Sequence, residues 1–152
     1  MRTLPTFSPD DTGRLVLRLA LGTMWLSHGL VLKLLTFGVA GLAGWLESVG
    51  LPAALAWPLT LAEIAGGALI LAGWHGRAVS TLLIPILIGA TWIHSGNGWV
   101  FTNAQGGWEY PLFLSFTSLT HVLLGDGAYV LFRQGRSAAR DSDRHASAAS
   151  YG

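Results

Sequence analysis

Long apolar runs, rather than an apolar–polar alternation, dominate the chain. Four stretches, at about residues 15–35, 54–74, 78–95 and 110–132, carry few charges, and each approaches the roughly 20 residues that a helix needs to cross about 30 Å of hydrocarbon. Breakers part them: Gly50-Leu51-Pro52, then Gly73 to Gly76, then the Gly-rich run 95–107. The pattern predicts an all-α polytopic membrane protein built as a four-helix transmembrane bundle. Residues 37–50 are too short and too Gly-interrupted to cross again. Val39, Leu42, Trp45, Leu46 and Val49 recur there at helical spacing, with Glu47 off that face. This predicts a short amphipathic segment in the first outer loop, lying on the surface or folding over the bundle mouth.

Composition agrees. Only 11% of the 152 residues are charged and 51% are hydrophobic, where soluble proteins carry about a quarter charged residues. The absence of Cys excludes a disulfide scaffold, dithiol relays, thiolate-held iron–sulfur clusters and covalent haem attachment. A signal peptide is not expected, because polar Ser8-Pro9-Asp10-Asp11 precedes the first run, which carries Arg18 and Lys33 and has no clear cleavage site. Lys and Arg placement sets the expected topology. Arg2 and Arg14 precede the first run, Arg77 lies between the second and third, and Arg133, Arg136, Arg140 and Arg144 follow the fourth. Both termini are therefore expected in the cytoplasm, with the two longer connections outside. The chain divides into a cytosolic segment 1–14, a membrane domain 15–132 and a disordered cytosolic tail 133–152. Its expected partner is the lipid bilayer, with no nucleic acid. Trp57, Trp92, Trp99 and Trp108 fall near the outer boundary and Trp74 near the inner one, as aromatic belts do.

Ionisable groups inside spans are candidates for function. Glu63 lies about 14 Å into the second span at 1.5 Å per residue, so it must be protonated, paired or in contact with water. His28 lies in the outer half of the first span, His94 at the outer end of the third, and Glu109 and Tyr110 open the fourth. Each histidine alone is readily explained as a hydrogen-bonded core residue; their convergence with Glu63 points to a pocket. Lys33 would add a cation. At 100° per residue, however, five α-helical positions set it about 140° around from His28, on a different face. Arg18 either snorkels to the headgroups or pairs with Asp126. His121 is satisfied by Thr117 or by another helix. Small residues at Ala62/Gly66 and Ala68/Ala72 predict a close helix crossing.

The order of motifs is Leu-Arg-Leu-Ala-Leu-Gly (17–22), His28-Gly29 with Lys33-Leu34, Gly50-Leu51-Pro52, and Glu63 with Gly66-Gly67. Gly73 through Arg77, His94 with Asn97-Gly98, Gly106-Gly107-Trp108-Glu109-Tyr110-Pro111-Leu112 and Gly125-Asp126-Gly127 complete it. This resembles the DoxX family of small four-helix bacterial inner-membrane proteins across most of the chain. Two departures stand out: the step from His28-Gly29 to Lys33 is one residue longer than the family pattern, and Asp126 stands where a proline is expected. The resemblance implies the bacterial cytoplasmic membrane. It also implies a labelled but biochemically ill-defined kinship to quinone-linked oxidoreductase subunits and to accessory membrane subunits.

Three functions compete. In a quinone-linked oxidoreductase subunit, Glu63 exchanges protons and His28 or His94 holds a carbonyl oxygen. Trp25, Trp92, Glu109 and Tyr110 then line the cofactor site, and a partner protein supplies the other redox centre. The second is a non-catalytic accessory or scaffold subunit, or a small carrier, docking through the outer loops or forming a homo-oligomer. The third is metal binding by His28, Glu63 and His94. Bis-histidine haem is disfavoured, because the depths of His28 and His94 differ by roughly 7 Å at 1.5 Å per residue.

Overall fold

Ser8 ends in extended backbone and Pro9 supplies a preset helical φ at the first turn, with Asp10 and Asp11 beside the positive end of the helix dipole. Helix α1 (Pro9–Leu26) starts there and runs without a break into a π-helix, Ser27–Thr36. Phe37 and Gly38, the latter at φ 71°, turn the chain into the short α2 (Gly38–Ser48). A 3-10 turn, Ala53–Leu55, leads into α3 (Ala56–Ala72). Gly73 closes α3 in the left-handed region, φ 68°. Its amide bonds the Ile70 carbonyl and that of Trp74 bonds Leu69, the paired closure that a C′ glycine permits. Helix α4 (Gly76–His94) follows at once, and α5 (Glu109–Leu124) comes after a folded loop. The computed structural model describes residues 8–131. The expected tail 133–152 lies outside the described residues, as do residues 1–7 and Phe132.

All regular structure among the described residues is helical. Pro9–Thr36, Ala53–Ala72 and Gly76–Asn97 are long and apolar enough to cross a membrane. The fourth expected stretch is shorter than its hydropathy implied. Gly125, at φ 80°, stops α5 at Leu124, leaving 16 residues, or about 24 Å at 1.5 Å per residue.

Helices α1 and α3 cross closely, and so do α4 and α5, whereas α1 meets α5 only lightly. Glycines set the first crossing. A Cβ on Gly67 would stand 2.9 Å from the Gly22 carbonyl oxygen and 2.8 Å from the Leu26 nitrogen, so the two backbones touch where no side chain fits. This is a different set from the expected small pairs: Gly66 instead receives Leu83 of α4, and Ala68 is exposed. The distribution of polarity is that of a protein dissolved in lipid. Arg18, Thr60, Glu63, Ser80, Ser118 and His121 are buried, while Leu82, Leu123 and Phe113 face outward at 76%, 71% and 66% exposure. In water that surface would be an aggregation patch. The inner aliphatics form two clusters, one around Leu21, Trp25, Ile70 and Leu83, the other joining Leu42 and Leu46 of α2 to Ala56.

Candidate functional site

The π-helix decides the site. Its hydrogen bonds skip five residues, as in Phe37 N–H to the Leu32 carbonyl at 2.8 Å, matched by Thr36 Oγ1 to Val31 O at 2.8 Å. Residues five apart therefore fall about one turn apart, and Lys33 comes round to the side of His28. The α-helical expectation that these two residues diverge is overturned for that reason. Lys33 Nζ donates to Glu63 Oε1, forming an ion pair in which the glutamate is 3% exposed. Gly29 makes the approach possible, since a Cβ there would lie 2.9 Å from both Glu63 Cβ and Ile64 N.

Beside this pair lies a cavity of ≈ 670 Å³, walled mainly by aliphatic and aromatic side chains from all five helices and the loop before α5. Lys33, Glu63, Trp25, His28, His94 and Tyr110 all line it. Helix α2 covers it with Leu42, Trp45 and Leu46. The loop of residues 95–108 folds back through Trp108 N–H to Gly98 O at 3.2 Å and Glu109 N–H to Trp99 O at 3.1 Å, and Phe101, Gly106 and Gly107 stand on the wall.

Two of the polar side chains that line the cavity are incompletely satisfied. Glu63 Oε2 and Trp25 Nε1 are buried without a hydrogen-bond partner, one an acceptor and the other a donor. Both histidines have their Nδ1 engaged by carbonyl oxygens, His28 by Met24 at 3.0 Å and His94 by Gln105 at 3.0 Å. A carbonyl only accepts, so in His28 Nδ1 carries the hydrogen and in the neutral ring Nε2 is the acceptor; His94 Nδ1 also meets the Asn97 side-chain nitrogen, at 3.3 Å. Tyr110 stacks on His28 with centroids 5.7 Å apart, and Trp45 stacks on His94 at 6.0 Å.

Two of the expected residues stand elsewhere. Trp92 is 73% exposed and lies in a separate shallow groove with Trp108, because α4 turns Gly89, Ala90 and Ile93 toward the cavity instead. Glu109 accepts the Phe101 amide at 3.3 Å and fixes the loop. The metal-ligand set His28, Glu63 and His94 does not form. Among the described residues, no three His, Asp or Glu side chains converge to hold an ion, since Glu63 is drawn to Lys33 and each imidazole to a carbonyl.

At the far end of the bundle a second polar group is closed by the turn after α5. Ser80 Oγ and His121 Nδ1 are 2.8 Å apart, and His121 Nε2 approaches Asp126 Oδ1 to 3.2 Å, within ion-pair range but out of line for a hydrogen bond. Of the two expected partners for His121, Thr117 or another helix, it is the other helix, through Ser80 of α4. Arg18 reaches backbone rather than carboxylate, donating to the Asp126 carbonyl at 2.8 Å and to that of Tyr129. Burial raises the Asp126 carboxyl pKa, but His121, the Arg18 guanidinium and the Gly76 amide together hold it below the ordinary range. Ser80 and His121 are fully buried, so this Ser-His-Asp series is inaccessible to a substrate and serves to tie α1, α4 and the turn together.

A family model described as DoxX matches residues 13–96, more than half of the 152-residue chain. The match includes Trp25, His28, Lys33, Glu63 and His94 and stops short of Tyr110. No curated protein and no solved structure matches the chain.

Proposed function

The chain belongs to the DoxX family, and on that premise we propose that it is a quinone-binding subunit of a membrane oxidoreductase, acting with a partner protein. In this reading α5 completes a four-helix, multi-pass bundle in the bacterial inner membrane. Both termini are cytoplasmic and the cavity opens at the outer side. The observation that carries the reading is the pair of orphaned atoms, Trp25 Nε1 and Glu63 Oε2, which belong to two side chains lining one largely apolar cavity. Leaving buried polar atoms unmade costs about 1–3 kcal/mol each, a cost recovered by a ligand offering one acceptor and one donor. A quinone carbonyl and a quinol hydroxyl are such groups, and the cavity size falls in the range of small-molecule sites.

When bound, the quinone supplies the two-electron couple. The chain has no Cys and, among the described residues, no metal-holding cluster, so the electrons are assigned to the partner. Trp25 Nε1 would donate to one ring oxygen, and Glu63, which is paired with Lys33, would accept from the hydroxyl at the other and exchange its proton. His28 or His94, with Nε2 the acceptor in the neutral ring, would accept from the hydroxyl at the oxygen facing Trp25 and exchange the second proton. Anaerobic calorimetric titration of the purified full chain with decylubiquinol, whose hydroxyl can donate to Glu63 Oε2, tests this. Wild type binds, Trp25→Phe weakens binding by roughly fivefold and Glu63→Gln by roughly tenfold or more, the loss of one hydrogen bond each. No binding, or binding indifferent to both substitutions, overturns the reading.

A further inference from the structure

A second groove, ≈ 610 Å³, runs along the outward face of α1. Val16, Leu19, Ala20, Thr23 and Ser27 recur along it at helical spacing. It ends at Met24, His28 and Tyr110, which also line the inner cavity. The stacked His28 and Tyr110 rings are therefore a shared wall, with the cavity on one side and a lipid-facing channel on the other. The groove stands open where packing is lightest, since α1 meets α5 far less than it meets α3. Its floor is set by the small side chains of Ala20 and Thr23, both exposed, with Val16 and Leu19 at 60% and 45% exposure. Between the levels of Val16 and His28 it extends roughly 18 Å at 1.5 Å per residue.

We propose that this groove binds the apolar tail of the ligand whose head occupies the cavity, the tail passing over the His28–Tyr110 wall into the bilayer. The inference rests on the quinone reading above. The residues common to the two spaces, Met24, His28 and Tyr110, argue for one amphiphile rather than for unrelated lipid. A head group buried against Glu63 must extend any attached chain outward, and the shared wall gives a way out that stays within hydrocarbon.

Ala20 faces outward, so a large side chain there fills the groove without entering the core. The test titrates full-length protein in micelles with decylubiquinone and with the same benzoquinone lacking its tail, affinities being referred to mole fraction in the micelle. Three proteins are compared: wild type, Ala20→Trp, and Ala65→Trp, which places the same bulk on an exposed position of α3. The expected result is that Ala20→Trp lowers decylubiquinone affinity roughly tenfold, leaves the tailless compound within about twofold, and that Ala65→Trp changes neither. If Ala20→Trp leaves decylubiquinone affinity unchanged while the tailless compound binds, the groove holds only bilayer lipid and the inference fails, with the cavity reading intact. Equal weakening of both compounds also overturns it. Failure of both compounds to bind wild type removes the cavity reading itself.

Discussion

Glu63 is tolerable in the membrane because Lys33 reaches it, and the pair is worth more as a constraint than as a source of stability. Removing one partner of a buried ion pair typically costs about 3–5 kcal/mol, whereas replacing both with apolar groups is often neutral. Lys33→Met is therefore expected to lower unfolding stability in detergent by about that amount, and Lys33→Met with Glu63→Leu to recover most of it while still failing to bind quinone. A double variant as unstable as the single one would show that the pair does not act as a unit. Asp126 gives a pH-dependent counterpart. Its carboxyl lies below the ordinary value in the fold, so its contribution is present above the unfolded pKa and is lost as pH falls through the lower folded value. Asp126→Asn is expected to flatten the acid limb of a stability–pH profile measured below about pH 4, and an unchanged limb would contradict this.

Among the elements, the long helices were legible because apolar length is a coarse signal that needs no partner. The π-turn was not. A lysine five residues after His28 reads as misplaced at 3.6 residues per turn, and the extra residue in the His-Gly to Lys spacing was its only trace. At that period Lys33 falls on a different face from His28, although in the fold it pairs with the most deeply placed acid in the site. The reach of α5 is shorter than hydropathy implies for the opposite reason: apolar residues continue past Leu124, but Gly125 ends the helix. Trp92 illustrates a third limit, since position within a span gives depth but not facing. The crossing of α1 and α3 also depended on the facing of particular glycines. Gly67→Ala is expected to destabilise by about 1–3 kcal/mol, as both contacts are backbone and neither can give way easily. Gly44→Ala, with open space around it, is expected to stabilise α2 by up to about 1 kcal/mol. Thermal unfolding of the two variants side by side checks the contrast, and equal shifts would contradict it.

For the molecule as a whole, the outward aliphatics and inward polar groups describe a body whose solvent is lipid, with a sealed polar knot at one end and a ligand-sized space at the other. The proposed orientation puts the knot on the cytoplasmic side. Because the chain has no native Cys, single cysteines report this directly. Thr102→Cys is expected to react with an impermeant maleimide in intact spheroplasts, and Gly13→Cys only after lysis. The reverse pattern would invert the topology.

The most direct test is a crystal structure of the full chain grown anaerobically from lipid with decylubiquinol, whose two hydroxyls can accept from Trp25 and donate to Glu63. The head group is expected between Trp25 and Glu63, one ring oxygen within about 3.2 Å of Nε1 and the other group within the same reach of Oε2. A cavity closed by aliphatic side chains, or a quinol bound away from these two atoms, would contradict it.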